Sequence, residues 1–282
     1  MKKGLVMEGG AMRGMFTAGV TDVMMENNIE FDGAIGVSAG ATFGCNVKSK
    51  QIGRSLRYNK LYCNDKRYCS LHSLVTTGNL FNEEFCYHTI PDELDVFDTE
   101  TFYANPMEFY VVCTDVLTGK PVYKKIEEED RELFVEWARA SASLPLLAKI
   151  VEIEGLKLLD GGMADSIPVK YFESIGYDRN VVILTRPKGY VKKTSKSLKL
   201  MKILLAKYPK LIEAVENRAD MYNQTIEYIC KKEEKGEIFV IRPNEILPIE
   251  RMESDPDNLQ LVYDIGRENM LKRLDELKEF LR

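Results

Sequence analysis

The motif Gly36-Val37-Ser38-Ala39-Gly40 follows the apolar run Phe31-Asp32-Gly33-Ala34-Ile35, and the two together decide the fold. The run predicts a buried strand, and residues 39–47 predict a helix. Ser38 then lies on the sharp turn between them, where glycines on both sides let the backbone approach closely. A side chain at such a turn projects alone, which suits a nucleophile. The alternative is a buried serine in a turn of small residues, so its surroundings must decide.

A second glycine-rich turn precedes this motif. Gly4-Leu5-Val6-Met7 predicts a buried strand, residues 15–27 predict a helix, and Glu8-Gly9-Gly10-Ala11-Met12-Arg13-Gly14 connects them. Backbone N–H groups at a helix N-terminus favour a negative charge. That charge is either the phosphate of a nucleotide or the oxyanion of a reaction at a nearby nucleophile. The dinucleotide fingerprint G-x-G-x-x-G is matched poorly, because Ala11 replaces its middle glycine.

The chain after these motifs continues to alternate strands with helices. Strands are predicted at 108–115, at 150–159 as a pair around a tight turn, and at 180–185, with helices at 131–142 and 168–175. This alternation predicts a mainly parallel sheet covered by helices on both faces. Asp160-Gly161-Gly162 directly follows the strand pair. Its carboxylate is either open to close approach by a partner or part of an ordinary Asp-Gly turn.

Residues 48–100 predict a cap of helices and loops rich in aromatic side chains. Both histidines of the chain, His72 and His88, lie in this cap. A Ser-Asp-His hydrolase of the usual chain order needs a histidine after its other two residues, and no histidine follows His88. Two histidines so far apart also fail as a zinc site, so no metal is expected.

Composition excludes several classes of protein. The net charge of the 282 residues is -5, which leaves no excess of positive charge for a general nucleic-acid binder. The six cysteines have no C-x-x-C pairs and are expected to be reduced thiols. Residues 4–7 are too short for the apolar core of a signal peptide, and no stretch approaches the roughly 18 apolar residues of a membrane span. We therefore expect a cytoplasmic protein.

Residues 186–210 carry nine Lys and Arg side chains and no Asp or Glu, together with several leucines. This basic segment is either a peripheral contact for an anionic membrane or a packed helix whose lysines face solvent. Helices at 211–231 and 256–281 and a strand at 238–241 are predicted after it. We divide the chain into a catalytic domain, 1–190, and a mostly helical C-terminal extension, 191–282.

Taken together, the three motifs resemble the patatin-like phospholipase family. The resemblance covers about residues 4–186 and includes Ala140-Ser141-Ala142-Ser143-Leu144-Pro145, a small-residue segment before a proline. It implies a three-layer α/β/α fold and an acyl hydrolase with a Ser-Asp dyad, in which Ser38 is the nucleophile and Asp160 its base. The residues implied for the oxyanion hole are Gly9, Gly10, Ala11, Arg13 and Ala39, and the glycines that support the motifs are Gly14, Gly36, Gly40, Gly161 and Gly162.

The resulting hypothesis is a serine lipid acyl hydrolase of the phospholipase A or lysophospholipase type, acting through an acyl-enzyme without a metal or organic cofactor. One alternative is an esterase for soluble short-chain esters. Another is a phosphate- or nucleotide-binding protein that uses the Gly9–Gly14 loop, with Ser38 purely structural. Ala11 departs from the family pattern, which has glycine there, and its Cβ restricts the backbone angles that aim the N–H groups.

Overall fold

The computed structural model describes residues 1–127, 129–195 and 197–282. In these ranges one sheet of eight strands forms the centre of the molecule. The strands are β1 (Lys3–Met7), β2 (Gly33–Val37), β3 (Glu108–Asp115), β4 (Pro121–Lys125), β5 (Val151–Ile153), β6 (Leu156–Asp160), β7 (Arg179–Ile183) and β8 (Ile238–Ile241).

The sheet has a parallel centre and an antiparallel edge. Its order is β5-β6-β3-β2-β1-β7-β8, and β4 also pairs with β3. All neighbours from β3 to β8 in this order run parallel, whereas β4 and β6 pair with β3 antiparallel, as β5 does with β6. The predicted mainly parallel sheet is therefore confirmed. Loops that follow the parallel strands meet at one edge, where ligands bind in folds of this kind.

Helices cover both faces of the sheet. They are α1 (Gly14–Glu26), α2 (Ala39–Lys48), α3 (Arg54–Tyr62), α4 (Leu71–Thr77), a π-helix (Phe85–Leu94), α5 (Thr99–Ala104), α6 (Arg131–Ala142), α7 (Val169–Ser174), α8 (Leu198–Leu204), α9 (Pro209–Glu234), α10 (Pro256–Lys272) and α11 (Leu274–Phe280). Short 3-10 turns span Ala11–Arg13 and Gly161–Met163. The cap at 48–100 consists, as predicted, of helices joined by loops.

Alternating strand residues separate two cores. Leu5 of β1 packs in a core with α1, α2, α6 and α10, whereas Val6 packs in a second core with α7 and α9. This follows from the strand geometry, which points successive side chains to opposite faces. The three-layer α/β/α architecture is thus confirmed, with a mostly helical C-terminal region. We call these layers the α2 face and the α9 face of the sheet.

The C-terminal region packs closely on the rest. Helix α10 crosses α1 at two glycines: a Cβ on Gly19 would lie 2.1 Å from the Tyr263 carbonyl oxygen, and one on Gly266 would lie 2.2 Å from that of Phe16. Strand β8 extends the sheet beside β7. The division of the chain after residue 190 stays a prediction.

The predicted continuous helix at 256–281 is wrong. It breaks at Arg273, whose backbone leaves the helical region (φ −116°, ψ 14°) and whose Nη1 donates to the Val240 carbonyl oxygen at 2.6 Å. The break turns α11 so that Leu277 and Leu281 are buried against the core of the α2 face. The stripe of leucines in the sequence therefore continues across two helices.

The basic segment 186–210 contains only one short helix, α8, among its described residues, and Lys196 lies outside them. Leu198, Met201 and Leu205 pack against a small buried cluster, whereas Leu200 and Ile203 are exposed. The apolar side of this segment is thus only partly packed. In the described ranges no helix is both long and apolar enough to cross a membrane.

Candidate active site

Ser38 occupies a strained turn between β2 and α2, as its motif predicts. Its φ of 54° and ψ of −122° are a conformation that side chains other than glycine rarely adopt. The flanking glycines are required by contact: a Cβ on Gly36 would lie 2.3 Å from the Gly40 carbonyl oxygen, and one on Gly40 would lie 2.4 Å from that of Met7. The turn therefore holds α2 directly against the end of β1 and presents Ser38 at the loop edge of the sheet.

The register of the sheet brings Asp160 to Ser38. The last residue of β2, Val37, pairs with Val112 of β3, and the next residue, Cys113, pairs with Asp160 at the end of β6. The two residues consequently come together across β3, and hydrogen bonding by the Ser38 side chain acts to lower the pKa of the Asp160 carboxylate. Residues that are far apart in sequence are thus neighbours at this edge of the sheet.

The Asp160 carboxylate is almost completely buried, with an exposed fraction of 2%. Burial raises its pKa, while the charge of Arg218, the Ser38 hydrogen bond, the Gly162 N–H (2.7 Å to Oδ1) and the charge of Arg251 all act to lower the pKa. The net direction is upward. A buried carboxylate with a raised pKa is a stronger base than one in water.

The end of α6 fixes both members of this pair. The Ser141 hydroxyl accepts a hydrogen bond from the Ser38 N–H at 2.9 Å and donates one to the Val112 carbonyl oxygen at 2.6 Å. Two residues after Ser141, the Ser143 carbonyl oxygen accepts a hydrogen bond from the Asp160 N–H at 2.8 Å. Sequence analysis noted this small-residue segment but gave it no role. Its only signal was a pair of serines before Leu144-Pro145.

The loop after β1 lies beside Ser38. A Cβ on Gly9 would be 3.2 Å from the Ser38 Cβ, and Ala11 and Ala39 line the same pocket as Ser38. Within the described ranges, the N–H groups of Gly9, Gly10, Ala11 and Ala39 have no hydrogen-bond acceptor. They are therefore available to an oxyanion, and their role in an oxyanion hole stays a prediction.

Ala11 has a φ of 49°, in the left-handed region that favours glycine. The family pattern has glycine at this position, and the backbone here keeps the conformation that a glycine would adopt. The substituted methyl is accommodated at the cost of local strain, which is of order 1 kcal/mol for a residue with a Cβ.

The remaining predicted residues lie around this centre. A Cβ on Gly14 would come within 2.8 Å of the Ala39 Cβ, and one on Gly161 within 2.2 Å of the Val112 carbonyl oxygen, so both glycines allow close packing. Arg13 is buried, and burial followed by the charge of Arg186 lowers its pKa to about 10. No hydrogen bond within the described residues joins Arg13 to Ser38.

Sequence analysis missed Glu8, whose carboxylate links the loop to α9. Its Oε1 accepts from the Tyr222 hydroxyl at 2.8 Å, and its Oε2 accepts from the Thr185 N–H at 2.6 Å. Glu8 has an exposed fraction of only 1%. A buried acidic residue at the start of a glycine loop was the available signal. Through these hydrogen bonds Glu8 connects the end of β1 to the residues after β7 and to α9.

An apolar pocket opens beside Ser38 on the α2 face. Its cavity volume is about 140 Å³, and it is open to solvent on one side. Aromatic and aliphatic side chains from α2, α3, the cap and α6 form most of its wall; examples are Phe43, Tyr58, Phe97, Phe134 and Val135. Neither His72 nor His88 lines it, so the cap contributes packing rather than a histidine partner for Ser38.

Comparison with known proteins identifies relatives of several kinds. The chain is 29% identical over 273 residues to the uncharacterized protein YjjU of Escherichia coli, covering 93% of this chain and 74% of that protein. It is 28% identical over 186 residues to the lysophospholipase nte1 of Aspergillus fumigatus, covering 62% of this chain but only 11% of that protein. Among solved structures, VipD from Legionella pneumophila aligns with a TM-score of 0.48 at 11% identity, covering 98% of this chain and 67% of that one.

Two family models match different parts of the chain. The model described as a domain of unknown function (DUF6363) matches residues 208–282, which include α9 and β8. The model described as Patatin-like phospholipase matches residues 5–173, which include Ser38 and Asp160. Because this second match covers more than half of the 282 residues, the chain belongs to the patatin-like phospholipase family.

Proposed function

We propose that the protein is a serine lipid acyl hydrolase of the phospholipase A or lysophospholipase type, in which Ser38 and Asp160 form the catalytic dyad. The observation that carries this proposal is the placement of Ser38 beside the buried Asp160 carboxylate, whose pKa its hydrogen bonding acts to lower, next to a mainly apolar pocket. Membership of the family and the similarity to a lysophospholipase support a hydrolase that acts on lipid esters.

Attack on the ester begins at the Ser38 hydroxyl. Its oxygen forms a bond to the carbonyl carbon while its proton moves to the Asp160 carboxylate. The carbonyl oxygen becomes an oxyanion, which we propose is bound by N–H groups of Gly9, Gly10, Ala11 and Ala39; in the described ranges no hydrogen-bond acceptor is recorded for these groups. Loss of one such donor typically reduces the rate about a hundredfold to a thousandfold.

Collapse of the tetrahedral intermediate completes the first half of the reaction. The bond to the leaving alcohol breaks, that alcohol takes the proton from Asp160, and the acyl group remains on Ser38. Water then attacks the acyl-enzyme, and Asp160 again accepts a proton, which it returns to the Ser38 oxygen as the free acid leaves. Each step uses only groups that this chain supplies.

The pocket supports a substrate with a long acyl chain. Its aromatic and aliphatic wall gains apolar contact with every methylene that enters, and the transfer of one methylene from water contributes about 0.8 kcal/mol. A short-chain ester fills only the part nearest Ser38. We therefore place lipid esters ahead of soluble short-chain esters as substrates.

The test is a hydrolysis screen of palmitoyl and butyryl esters on wild type, Ser38→Ala and Asp160→Asn. Wild type is expected to prefer the palmitoyl ester, and each variant to lose roughly a thousandfold or more in kcat/KM. Ser143→Ala is the matched control, because in the described ranges its hydroxyl donates to the Arg139 carbonyl oxygen at 2.8 Å, at the C-terminal end of α6, and not to the dyad. It should retain its activity.

Three results would contradict the proposal. Equal activity in wild type, Ser38→Ala and Asp160→Asn would show that these two residues do not form a catalytic dyad. A preference for the butyryl ester would favour the soluble esterase. Absence of hydrolysis, combined with an increase in melting temperature on addition of a nucleotide, would favour the nucleotide-binding alternative.

Peripheral membrane contact through the basic segment is a further part of the proposal. Leu200, Ile203 and Leu204 are exposed on α8 beside Lys199, and such a mixture of apolar and cationic side chains suits an anionic bilayer. The triple variant Lys199→Glu, Lys202→Glu, Lys207→Glu should lose sedimentation with anionic vesicles. A control with reversed charges at the exposed Lys235, Lys272 and Lys278 should retain it. Equal binding by both variants would contradict the contact.

A further inference from the structure

Five cationic side chains from separate parts of the chain gather on the α9 side of Asp160. Arg13 comes from the turn after β1, Arg186 and Lys192 from the segment after β7, Arg218 from α9 and Arg251 from the loop after β8. Arg218 and Arg251 both act electrostatically on Asp160, and Arg218, Arg13 and Arg251 all act on Lys192. We call these five residues the cation cluster.

The cation cluster has few anionic partners. Glu8 acts electrostatically on Arg13, Lys192 and Arg218, and both Glu8 oxygens already accept hydrogen bonds from Tyr222 and Thr185. Throughout the described part of the chain, no carboxylate oxygen lies within 4.0 Å of a nitrogen of the cluster. The Nε atom of Arg13 is buried without any hydrogen-bond partner. The local charge balance is therefore positive.

These cations are held in place by contacts other than ion pairs. The Lys192 ammonium lies 3.9 Å from the centre of the Tyr222 ring, and the Lys192 backbone exchanges two hydrogen bonds with the Asn223 side chain, at 2.8 and 3.0 Å. Arg218 donates through Nε to the Gly162 carbonyl oxygen. Arg13 is buried, Lys192 and Arg218 are partly buried and Arg251 is exposed. Placing several of these cations partly out of water beside one another destabilises the folded state, and a bound anion would reduce that cost.

Burial is the largest cause of the unusual state of Lys192, whose pKa is lowered to about 7; the positive charge of Arg218 is the next cause. An anion bound between these side chains would raise that pKa again, because it would favour the charged ammonium. Binding of an anion would therefore shift Lys192 toward its charged form.

We propose that Arg13, Lys192, Arg218 and Arg251 form a subsite for a phosphate group carried by the ester substrate. The proposal rests on the proposed hydrolase function and specifies its substrate class. Arg and Lys side chains are the usual donors to phosphate oxygens, and Arg binds them in a bidentate manner. No member of the four lines the apolar pocket. An ester carbonyl at Ser38 would therefore have its acyl chain on the α2 face and its phosphate on the α9 face.

The test compares two esters that share a palmitoyl chain, palmitoyl-glycerol phosphate and neutral palmitoyl-glycerol, in the same uncharged detergent. The measured quantity is the ratio of kcat/KM for the phosphate ester to that for the neutral ester. Lys192→Met and Arg251→Gln are each expected to lower this ratio about tenfold, the effect of losing one charge-assisted hydrogen bond. Lys272→Met on α10, an exposed lysine paired with Glu268 at 2.6 Å, should leave the ratio unchanged.

A binding measurement separates a lipid headgroup from free phosphate. In the Ser38→Ala variant, glycerol phosphate should raise the melting temperature, and the added substitutions Lys192→Met and Arg251→Gln should abolish this rise. If inorganic phosphate raises the melting temperature as much as glycerol phosphate does, and the two esters have equal kcat/KM, the cluster binds free phosphate. This result would overturn the substrate claim. An unchanged kcat/KM ratio in both cation variants would also overturn it. If the wild type hydrolyses neither ester and binds no glycerol phosphate, the proposed hydrolase function is contradicted as well. If it hydrolyses both esters with the same kcat/KM, only the phosphate subsite is contradicted.

Discussion

The two sides of Ser38 differ completely in chemistry. On the α2 face the wall is mainly apolar, with side chains such as Phe43 and Phe134, whereas on the α9 face Arg218 and Arg251 of the cation cluster act electrostatically on Asp160. The first side belongs to the part of the chain that matches the patatin-like family, and Arg218 and Arg251 belong to the part that matches a domain of unknown function. Under the proposed function, this difference predicts that an amphiphilic substrate binds across the loop edge of the sheet and that the C-terminal region contributes to its recognition.

Among substitutions outside the dyad, the largest expected effect comes from closing the apolar side. Val135 lines the pocket from α6, and Val135→Trp should fill part of the space that an acyl chain needs. Exclusion of three methylenes at about 0.8 kcal/mol each lowers kcat/KM for a palmitoyl ester roughly sixtyfold. The measurement is kcat/KM against acyl-chain length, from butyryl to palmitoyl.

The butyryl ester is the internal control for Val135→Trp, because a short chain does not reach the filled region. The kcat/KM for the butyryl ester should change by less than about threefold if the variant folds normally. The three methylenes that Val135→Trp excludes belong to the palmitoyl chain and are absent from the butyryl chain. Equal losses for both chain lengths would mean that the pocket does not hold the acyl chain.

The cationic side is tested most sharply at Arg218, which, besides its proposed contact with phosphate, acts on Asp160. It donates to the Gly162 carbonyl oxygen and lowers the pKa of Asp160 by its charge. In Arg218→Met the Asp160 pKa should rise further, so a smaller fraction of Asp160 is ionised at a given pH. We expect the acid limb of the kcat/KM profile to move to higher pH, so that kcat/KM falls on the acid side and recovers as the pH is raised.

Arg218→Lys separates charge from simple packing. It keeps a cation beside Asp160, so its acid limb should stay near that of wild type even though kcat/KM is reduced by the changed geometry. A pH profile of Arg218→Met with the same midpoint as wild type would show that the arginine acts on structure alone.

A smaller effect is expected at Ser141, which aligns Ser38 between the two sides. Ser141→Ala leaves the Ser38 N–H and the Val112 carbonyl oxygen without their partner. We expect a loss of about 1–3 kcal/mol in the free energy of unfolding and about fivefold in kcat/KM for both ester classes. Denaturant unfolding and steady-state kinetics are the measurements, with Ser143→Ala as control; a purely destabilising Ser141→Ala with unchanged kcat/KM would contradict the alignment role.

The smallest effect is expected at Ala11, beside the site. Ala11→Gly removes a Cβ from a left-handed position (φ 49°), but also increases the freedom of the unfolded chain. The free energy of unfolding should change by less than about 1 kcal/mol, and kcat/KM should rise about twofold as the loop adapts to the oxyanion. Lys50→Gly, at an exposed residue with a φ of 54°, is the matched control and should not change the rate. A fivefold loss in Ala11→Gly would contradict this account.

The sequence was sufficient for the parts of the fold that follow from local patterns. Buried runs and glycine turns predicted the strands and the turn at Ser38, and Asp160 was recognised at the end of its strand. The contact between the two depends on β6 running antiparallel to β3, with Asp160 level with Cys113. Such a register is set by long-range pairing, which no local pattern contains.

The cationic side was beyond the reach of sequence patterns for a similar reason. Residues 186–210 were interpreted as one basic segment, yet Arg186 and Lys192 face the site while α8 lies on the surface. Arg218 sits in a long helix with no motif around it. These side chains meet only because α9 and the loop after β8 pack on the same edge of the sheet. The break of the last helix at Arg273 was likewise decided by a tertiary contact, to Val240.

The central claim is that Asp160 activates Ser38, and the most direct measurement is the rate at which a fluorophosphonate probe modifies Ser38, followed by mass spectrometry. Asp165 provides the matched control, because burial also raises its pKa but its carboxylate accepts from the Tyr123 hydroxyl at 2.9 Å instead. We predict one adduct, on Ser38, formed about a hundredfold more slowly in Asp160→Asn and at the wild-type rate in Asp165→Asn. An adduct elsewhere, or equal rates in wild type and Asp160→Asn, would contradict the dyad.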